Sequence, residues 1–254
     1  MIIEWECILE CNYKCFYCGN GRNDMLDESI PHEQDKTKVF KFLDDIKLHY
    51  PDDELFVFGG EPFCHPFIGE IIHHMNEIGL NYIIQTNFSL TDKIRRILDN
   101  EQFEIQISLH DTEIVDIPKL IYDISDLQHI IRRIDVMYDG QQSLDLYKQV
   151  LPILDNRDIL YVTPIADFNL DDVCNNHLFE FNRLKKTVIG KVYRFEKGDR
   201  SFKWERQMKG EISYKGDVCI YKDKYVLFDA SLHKYTCNYR QNNNDCPNDQ
   251  CFLM

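Results

Sequence analysis

The chain has 254 residues, enough to bury a sizeable core, and its 44% apolar and 13% aromatic content is that of a globular protein. Asp and Glu outnumber Lys and Arg by 43 to 29, and the resulting net charge of -14 argues against a nucleic acid partner over most of the surface. No run approaches the roughly 18 uninterrupted apolar residues of a membrane span, and the opening "MIIEWEC" carries acids where an export signal carries bases, so the expected compartment is the cytoplasm, with no membrane contact.

In chain order, strands are predicted at Ile2 to Leu9, Glu54 to Phe58, Tyr82 to Thr86, Phe103 to Leu109, Arg133 to Tyr138 and Ile159 to Ile165. Helical spacing fills the gaps. Val39, Phe42, Leu43, Ile46 and Tyr50 recur at helical intervals behind Asp35 and Thr37 as caps. Ile68, Ile71, Ile72, Met75 and Ile78 do the same, and Gly79 can end that helix in the left-handed conformation. Shorter helices are expected at Ile94 to Leu98, Leu120 to Leu127 and Tyr147 to Leu154, and a sixth around Cys174, Leu178 and Phe181, where Cys174 serves as a small core residue.

This alternation predicts an α/β class with six βα units, parallel strands and right-handed crossovers. The expected architecture is a partial (β/α)6 TIM-like barrel with functional loops at the C-terminal ends of the strands. After about residue 188 the pattern changes, which places a domain boundary near 190: residues 1–189 form the barrel and 190–254 a connection and a small β-rich domain. From Arg183 to Lys209 ten basic residues face three acids, with Tyr193, Phe195, Phe202 and Trp204 interleaved. This segment reads as a solvated connection, and a nucleotide or RNA contact is its alternative.

Ten cysteines in a reducing compartment favour metal binding over a disulfide framework. They cluster as Cys11, Cys15 and Cys18 near one end and Cys219, Cys237, Cys246 and Cys251 near the other, with Cys7, Cys64 and Cys174 apart. Thiolate is a soft ligand suited to iron-sulfur clusters and zinc, and a site with three protein ligands keeps one metal position open for chemistry. Cys7 shares a strand face with Trp5 and Leu9 and reads as core. A second stretch, "VFGGEPFCHP" at residues 57 to 66, follows the second strand. Its two glycines let backbone approach a ligand closely, and Glu61 can accept charge-assisted hydrogen bonds from an ammonium group.

The C-x3-C-x2-C loop with Tyr17 before its last cysteine, followed by Gly-Gly-Glu-Pro after the next strand, resembles the signature of radical S-adenosylmethionine (radical SAM) enzymes. The resemblance implies that Cys11, Cys15 and Cys18 hold a 4Fe-4S cluster whose fourth iron takes the methionine amino and carboxylate groups of S-adenosylmethionine. It also implies that Gly59, Gly60, Glu61 and Pro62 receive the methionine amine. Cys64 then replaces an apolar packer beside His65, with metal binding by the pair as the alternative. "IQTNF" resembles a Thr-Asn-Gly turn of the family with Phe88 in place of glycine, pointing to Asn87 beside the cofactor. "IQISLHDTE" resembles the strand whose serine contacts the ribose, pointing to Ser108, with Asp111 where glycine is common. His110 and Asp111 are candidate catalytic acid or base groups at the barrel mouth, and a solvated loop pair is the plain alternative.

In the tail, Cys219 and Cys237 flank a predicted hairpin with strands at Tyr225 to Phe228 and Lys234 to Thr236, and Cys246 and Cys251 follow. Four thiols suffice for tetrahedral zinc or for a fully protein-bound 4Fe-4S cluster. The arrangement resembles the auxiliary-cluster tail, SPASM or its shortened twitch form, appended to many radical SAM enzymes. That resemblance favours a second iron-sulfur cluster. The implied activity is reductive cleavage of S-adenosylmethionine to methionine and a 5'-deoxyadenosyl radical, served by a reducing partner such as flavodoxin or ferredoxin, with hydrogen abstraction from a substrate carbon. A peptide side chain is the first substrate expected, although this chain starts directly at the first strand with no separate leader-binding domain. A small alcohol, sugar or nucleotide is the alternative, and a non-catalytic iron-sulfur scaffold is the reading from another class.

Overall fold

The computed structural model describes residues 1–15, 32–110, 114, 116–138, 141–154, 160–164 and 225–235. In chain order the elements are β1 (Ile2–Ile8), α1 (Lys36–His49), β2 (Leu55–Gly59), α2 (Ile68–Glu77), β3 (Tyr82–Thr86), α3 (Thr91–Leu98), β4 (Ile105–His110), α4 (Ile117–Leu127), β5 (Ile131–Tyr138), α5 (Gln141–Val150), β6 (Leu160–Pro164), β7 (Tyr225–Phe228) and β8 (Lys234–Tyr235). The described residues fall into two compact units. One contains Met1–Asn12, residues 32–104 and residues 225–235; the other contains residues 13–15 and the described part of 105–164.

In the first unit the strand order is β3-β2-β1-β7-β8, parallel except for the antiparallel β7/β8 pair. β1 is therefore an interior strand. Ile3, Trp5 and Cys7 are almost wholly buried along it, which places Cys7 in the core as its spacing predicts. Asp35 accepts the Thr37 N–H at 2.9 Å and starts α1, whose Val39, Phe42, Leu43 and Ile46 face inward. Each such buried aliphatic or aromatic side chain contributes about 1.5–3 kcal/mol. The Phe42 ring meets Trp5 at 5.2 Å and, on its other side, Phe228 of β7 at 4.8 Å.

α2 closes as its sequence predicts. Gly79 has φ +63°, its N–H reaches the Asn76 carbonyl at 3.1 Å, and the Leu80 N–H reaches Met75 at 2.9 Å. This is a Schellman stop, which glycine enters without strain.

The tail hairpin is present in β7 and β8, with Leu227 opposite Tyr235 and Phe228 opposite Lys234. Asp229 shapes its turn: one carboxylate oxygen accepts the N–H groups of Ser231 and His233, both at 2.9 Å, and the other accepts the Tyr235 hydroxyl at 3.1 Å. β7 also runs parallel to β1, from Ile2 opposite Tyr225 to Trp5 opposite Phe228. This part of the tail thus extends the sheet of β1.

In the second unit β4, β5 and β6 pair in parallel in that order. Several boundaries differ from the sequence reading by a few residues, most of all at β4 and α5. β4 begins at Ile105, leaving Phe103 ahead of it to pack near Phe63 at 6.1 Å. α5 begins at Gln141 because the polar first turn, Gln-Gln-Ser, consists of residues a helix tolerates, although it lacks the apolar marker that Tyr147 supplies. The expected helix around Cys174 and the boundary at 190 lie outside the described residues.

Candidate active site at the strand ends

The C-terminal ends of β1, β2 and β3 converge within the first unit. β1 and β2 stay in register from Ile3 opposite Leu55 to Glu6 opposite Phe58, then shift so that Ile8 faces Gly59. Past this bulge the Gly60 N–H reaches the Ile8 carbonyl at 2.7 Å and the Glu61 N–H reaches the Glu10 carbonyl at 2.8 Å. The turn is strapped directly beneath the start of the cysteine loop.

That strap explains both glycines. Gly59 has φ +146°, and a Cβ there would lie 2.2 Å from the Ile8 oxygen. At Gly60 a Cβ would lie 2.1 Å from the Glu10 oxygen and 2.6 Å from the Leu9 oxygen. The close approach that the sequence motif predicts is made here to the chain's own backbone at the end of β1.

Glu61 is fully buried. One carboxylate oxygen accepts the Phe63 N–H at 3.0 Å and the Thr86 hydroxyl at 2.8 Å; the other accepts the Asn87 N–H at 2.7 Å. Burial pushes its pKa up from the ordinary 4.5 to about 7, against the lowering effect of these donors and of the Lys93 ammonium. The carboxylate is turned into the protein and ties the β2 turn to the end of β3. Pro62 starts the short 3-10 turn Pro62–Cys64, and Lys93 of α3 donates to the carbonyls of Phe63 at 2.8 Å and His65 at 3.2 Å on its far side.

His65 is fully buried, and its Nδ1 accepts the Phe67 N–H at 3.1 Å. Burial lowers its pKa to about 3, so it is neutral. The His32 ring lies edge-on at 4.7 Å. Cys64 is only half-buried, its thiol 4.0 Å from the Asn12 side-chain oxygen, so it touches the cysteine loop instead of filling the core. Among the described residues no group of three or more His, Cys, Asp and Glu side chains could hold a metal ion.

Cys11 follows directly, with its thiol exposed. Asn87, on the turn after β3, sends its side-chain amide to the Cys11 sulfur at 3.6 Å and to the Asn12 oxygen at 3.0 Å. Phe88 follows at φ +60°, buried, in the left-handed conformation that a glycine would adopt freely. The left-handed conformation costs this residue about 1–2 kcal/mol, which burial of the ring, at about 1.5–3 kcal/mol, offsets.

In the second unit Cys15 is half-buried, and the Tyr13 ring lies edge-on to His110 at 6.1 Å. Ser108 is buried on β4 opposite Asp135 of β5, and His110 ends the same strand opposite Met137. The sequence reading passed over Asp135, a buried carboxylate held by Arg133 at 2.7 Å and Gln106 at 2.8 Å. The alternation Gln106, Ser108, His110 against Arg133, Asp135, Met137 marks one shared, mostly polar face and was its available signal. Burial lowers the His110 pKa to about 4, which leaves it a neutral imidazole at pH 7. Tyr17, Cys18, Asp111, Cys219, Cys237, Cys246 and Cys251 lie outside the described residues.

Cys11, at the end of β1 beside the Gly-Gly-Glu-Pro turn, is a soft thiol donor of the kind an iron-sulfur centre takes. The sequence profile of the radical SAM superfamily matches residues 5–137, a span that includes both motifs. The chain belongs to the radical SAM superfamily. No curated protein matches it. Among solved structures, SuiB of Streptococcus suis bound to S-adenosylmethionine aligns over 98% of this chain and 60% of its own, with a TM-score of 0.61 and 15% identity. SuiB bound to the precursor peptide SuiA aligns over 98% and 61%, at 0.61 and 14%. BtrN in complex with AdoMet and 2-DOIA aligns over 73% and 87%, at 0.39 and 16%. The chain spans about 60% of the length of SuiB, and the likeness to SuiB is one of fold: an α/β arrangement resembling a partial radical SAM TIM-like barrel. Among the described residues no helix is long and apolar enough to cross a membrane.

Proposed function

We propose that this radical SAM enzyme oxidatively modifies a peptide side chain. The observation carrying the substrate class is the fold likeness to SuiB over nearly the whole chain, together with the precursor peptide bound in one SuiB structure. When bound, the cluster and S-adenosylmethionine supply a one-electron reductive cleavage that gives methionine and a 5'-deoxyadenosyl radical, which takes hydrogen from a substrate carbon.

Cys11, Cys15 and Cys18 would hold the cluster beside Tyr17. Gly59, Gly60 and Pro62 would offer the backbone that receives the methionine amine. Glu61 serves by fixing that backbone, because its carboxylate is occupied by Phe63, Thr86 and Asn87. Ser108 would contact the ribose. His110, being neutral, can accept a proton but has none to spare as an acid, and Asp111 remains the second candidate for acid-base work. Residues 190–254 would carry a second 4Fe-4S cluster on Cys219, Cys237, Cys246 and Cys251, able to take the second electron of a net oxidation. A flavodoxin or ferredoxin would supply the first.

The substrate class is tested with uniformly deuterated candidates under anaerobic turnover. A short peptide encoded beside the gene should transfer deuterium into 5'-deoxyadenosine and lose two hydrogens. Transfer from a sugar or nucleotide, with none from peptide, rejects the proposal.

A further inference from the structure

We infer that Asn87 positions the first cluster ligand: its side-chain amide donates a hydrogen bond to the sulfur of Cys11 and raises the reduction potential of the iron-sulfur centre that Cys11 would hold. The inference rests on the radical SAM reading of the cysteine loop and assigns the Asn87 side chain to the ligand sulfur instead of to S-adenosylmethionine.

The orientation of the amide follows from its neighbours. The Ser89 backbone N–H can only donate, and it lies 3.0 Å from one terminal atom of Asn87, which must therefore be the oxygen. The NH2 group then faces the other way, toward the Cys11 sulfur at 3.6 Å and the Asn12 oxygen at 3.0 Å. The rest of the ring has a forced direction too. The Ser89 hydroxyl gives its single proton to the Asn87 oxygen at 2.6 Å, so it must accept from the Asn12 amide at 2.8 Å. This leaves the Asn12 oxygen facing Asn87. Three side chains from two strand ends thus close a ring with one sense of donation.

Two consequences follow. The Asn87 oxygen accepts twice and its nitrogen donates twice, so the side chain has no hydrogen-bonding capacity left for S-adenosylmethionine. The backbone beneath it is fixed as well: its own N–H goes to Glu61 at 2.7 Å, and the Phe88 N–H goes to the Thr86 hydroxyl at 3.0 Å. The donor is held at the sulfur by the fold before any ligand binds.

A hydrogen bond to a ligating thiolate withdraws charge from the sulfur and stabilises the reduced, more negative centre over the oxidised one. Such bonds are among the levers that set cluster potentials, and the donor here, Asn87, is itself buried.

The test is an EPR-monitored redox titration of the full-length, anaerobically reconstituted protein. Asn87→Asp keeps the contacts to Ser89 but turns an oxygen toward the sulfur, and its midpoint should shift to more negative potential. Asn87→Ala should shift the same way by less. Cleavage of S-adenosylmethionine should slow in both with dithionite and recover in part with the stronger reductant titanium(III) citrate. Midpoints unchanged in both variants at wild-type iron content overturn the inference while leaving the radical SAM reading intact. If the variants take up no iron, wild-type protein carrying nitrogen-15 in its asparagine side-chain amides gives the answer by electron-nuclear double resonance. A nitrogen coupling at the reduced centre supports the assignment, and none overturns it. Wild-type protein with no centre on Cys11, Cys15 and Cys18 removes the radical SAM reading and the inference together.

Discussion

At the scale of single residues, Glu61 shows how burial reassigns a motif side chain. The sequence identifies a carboxylate in a cofactor-binding turn. The structure adds that it has no exposure and already accepts from three donors of the chain. Sequence could not reveal this, because the donors come from residues two positions onward and from the end of β3. The electrostatic consequence has a definite sign. With a folded pKa of about 7 against an ordinary 4.5, the folded protein binds the Glu61 proton more tightly than the unfolded chain does. Stability from this group is therefore fully present below about 4.5 and declines as pH rises to about 7. At 1.36 kcal/mol per pKa unit the decline is about 3 kcal/mol. Glu61→Gln removes the titration and leaves the Asn87 N–H without its acceptor, a cost of about 1–3 kcal/mol. The stability advantage of wild type over Glu61→Gln, read by denaturant unfolding across this range, should thus shrink with rising pH. A difference that is flat in pH contradicts the burial argument. Asn12, Ser89 and Lys93 escaped the sequence reading for a related reason: they act on the motifs from outside them, and only the fold brings them near.

At the scale of elements, hydrophobic periodicity was a sound guide wherever apolar residues mark a face. All five described helices and all six predicted strands of the βα series are present, and Asp35 and Gly79 act as the caps their chemistry suggests. Periodicity failed at polar starts, as in α5, and it could not show which strand the tail hairpin would join. The pairing of β7 with β1 joins residues more than two hundred positions apart, as in Phe228 opposite Trp5. The glycine turn after β2 carries the sharpest element-scale test. A Cβ on Gly60 would sit 2.1 Å from a backbone oxygen that no side-chain motion can clear, whereas a Cβ on Gly69, inside α2, meets only the Ile97 side chain at 3.7 Å. Gly60→Ala should therefore cost about 3 kcal/mol or more and weaken S-adenosylmethionine binding. Gly69→Ala should be neutral or stabilise the helix by about 0.5–1 kcal/mol. Unfolding and calorimetric titration compare the two, and equal effects would show that the turn is not strapped to β1.

At the scale of the whole molecule, the class, the alternation of strands and helices and the family were all legible before any coordinates, because two short motifs stand at the ends of successive predicted strands. The family is now shown by a profile match across residues 5–137, and the fold by likeness to SuiB. What remained illegible is the part set by long-range burial: the inward turn of Glu61, the amide ring beside Cys11 and the joining of the hairpin to the sheet. The net charge of -14 and the ten cysteines bound the partners and the metal chemistry without naming a substrate. The account as a whole stands on an iron-sulfur centre at Cys11, Cys15 and Cys18 that cleaves S-adenosylmethionine. Anaerobically reconstituted protein, given dithionite and S-adenosylmethionine, should release 5'-deoxyadenosine and methionine, and replacing any one of these three cysteines by alanine should abolish that release. Release that persists in all three variants, or a fully loaded wild-type protein that forms no 5'-deoxyadenosine, would contradict it.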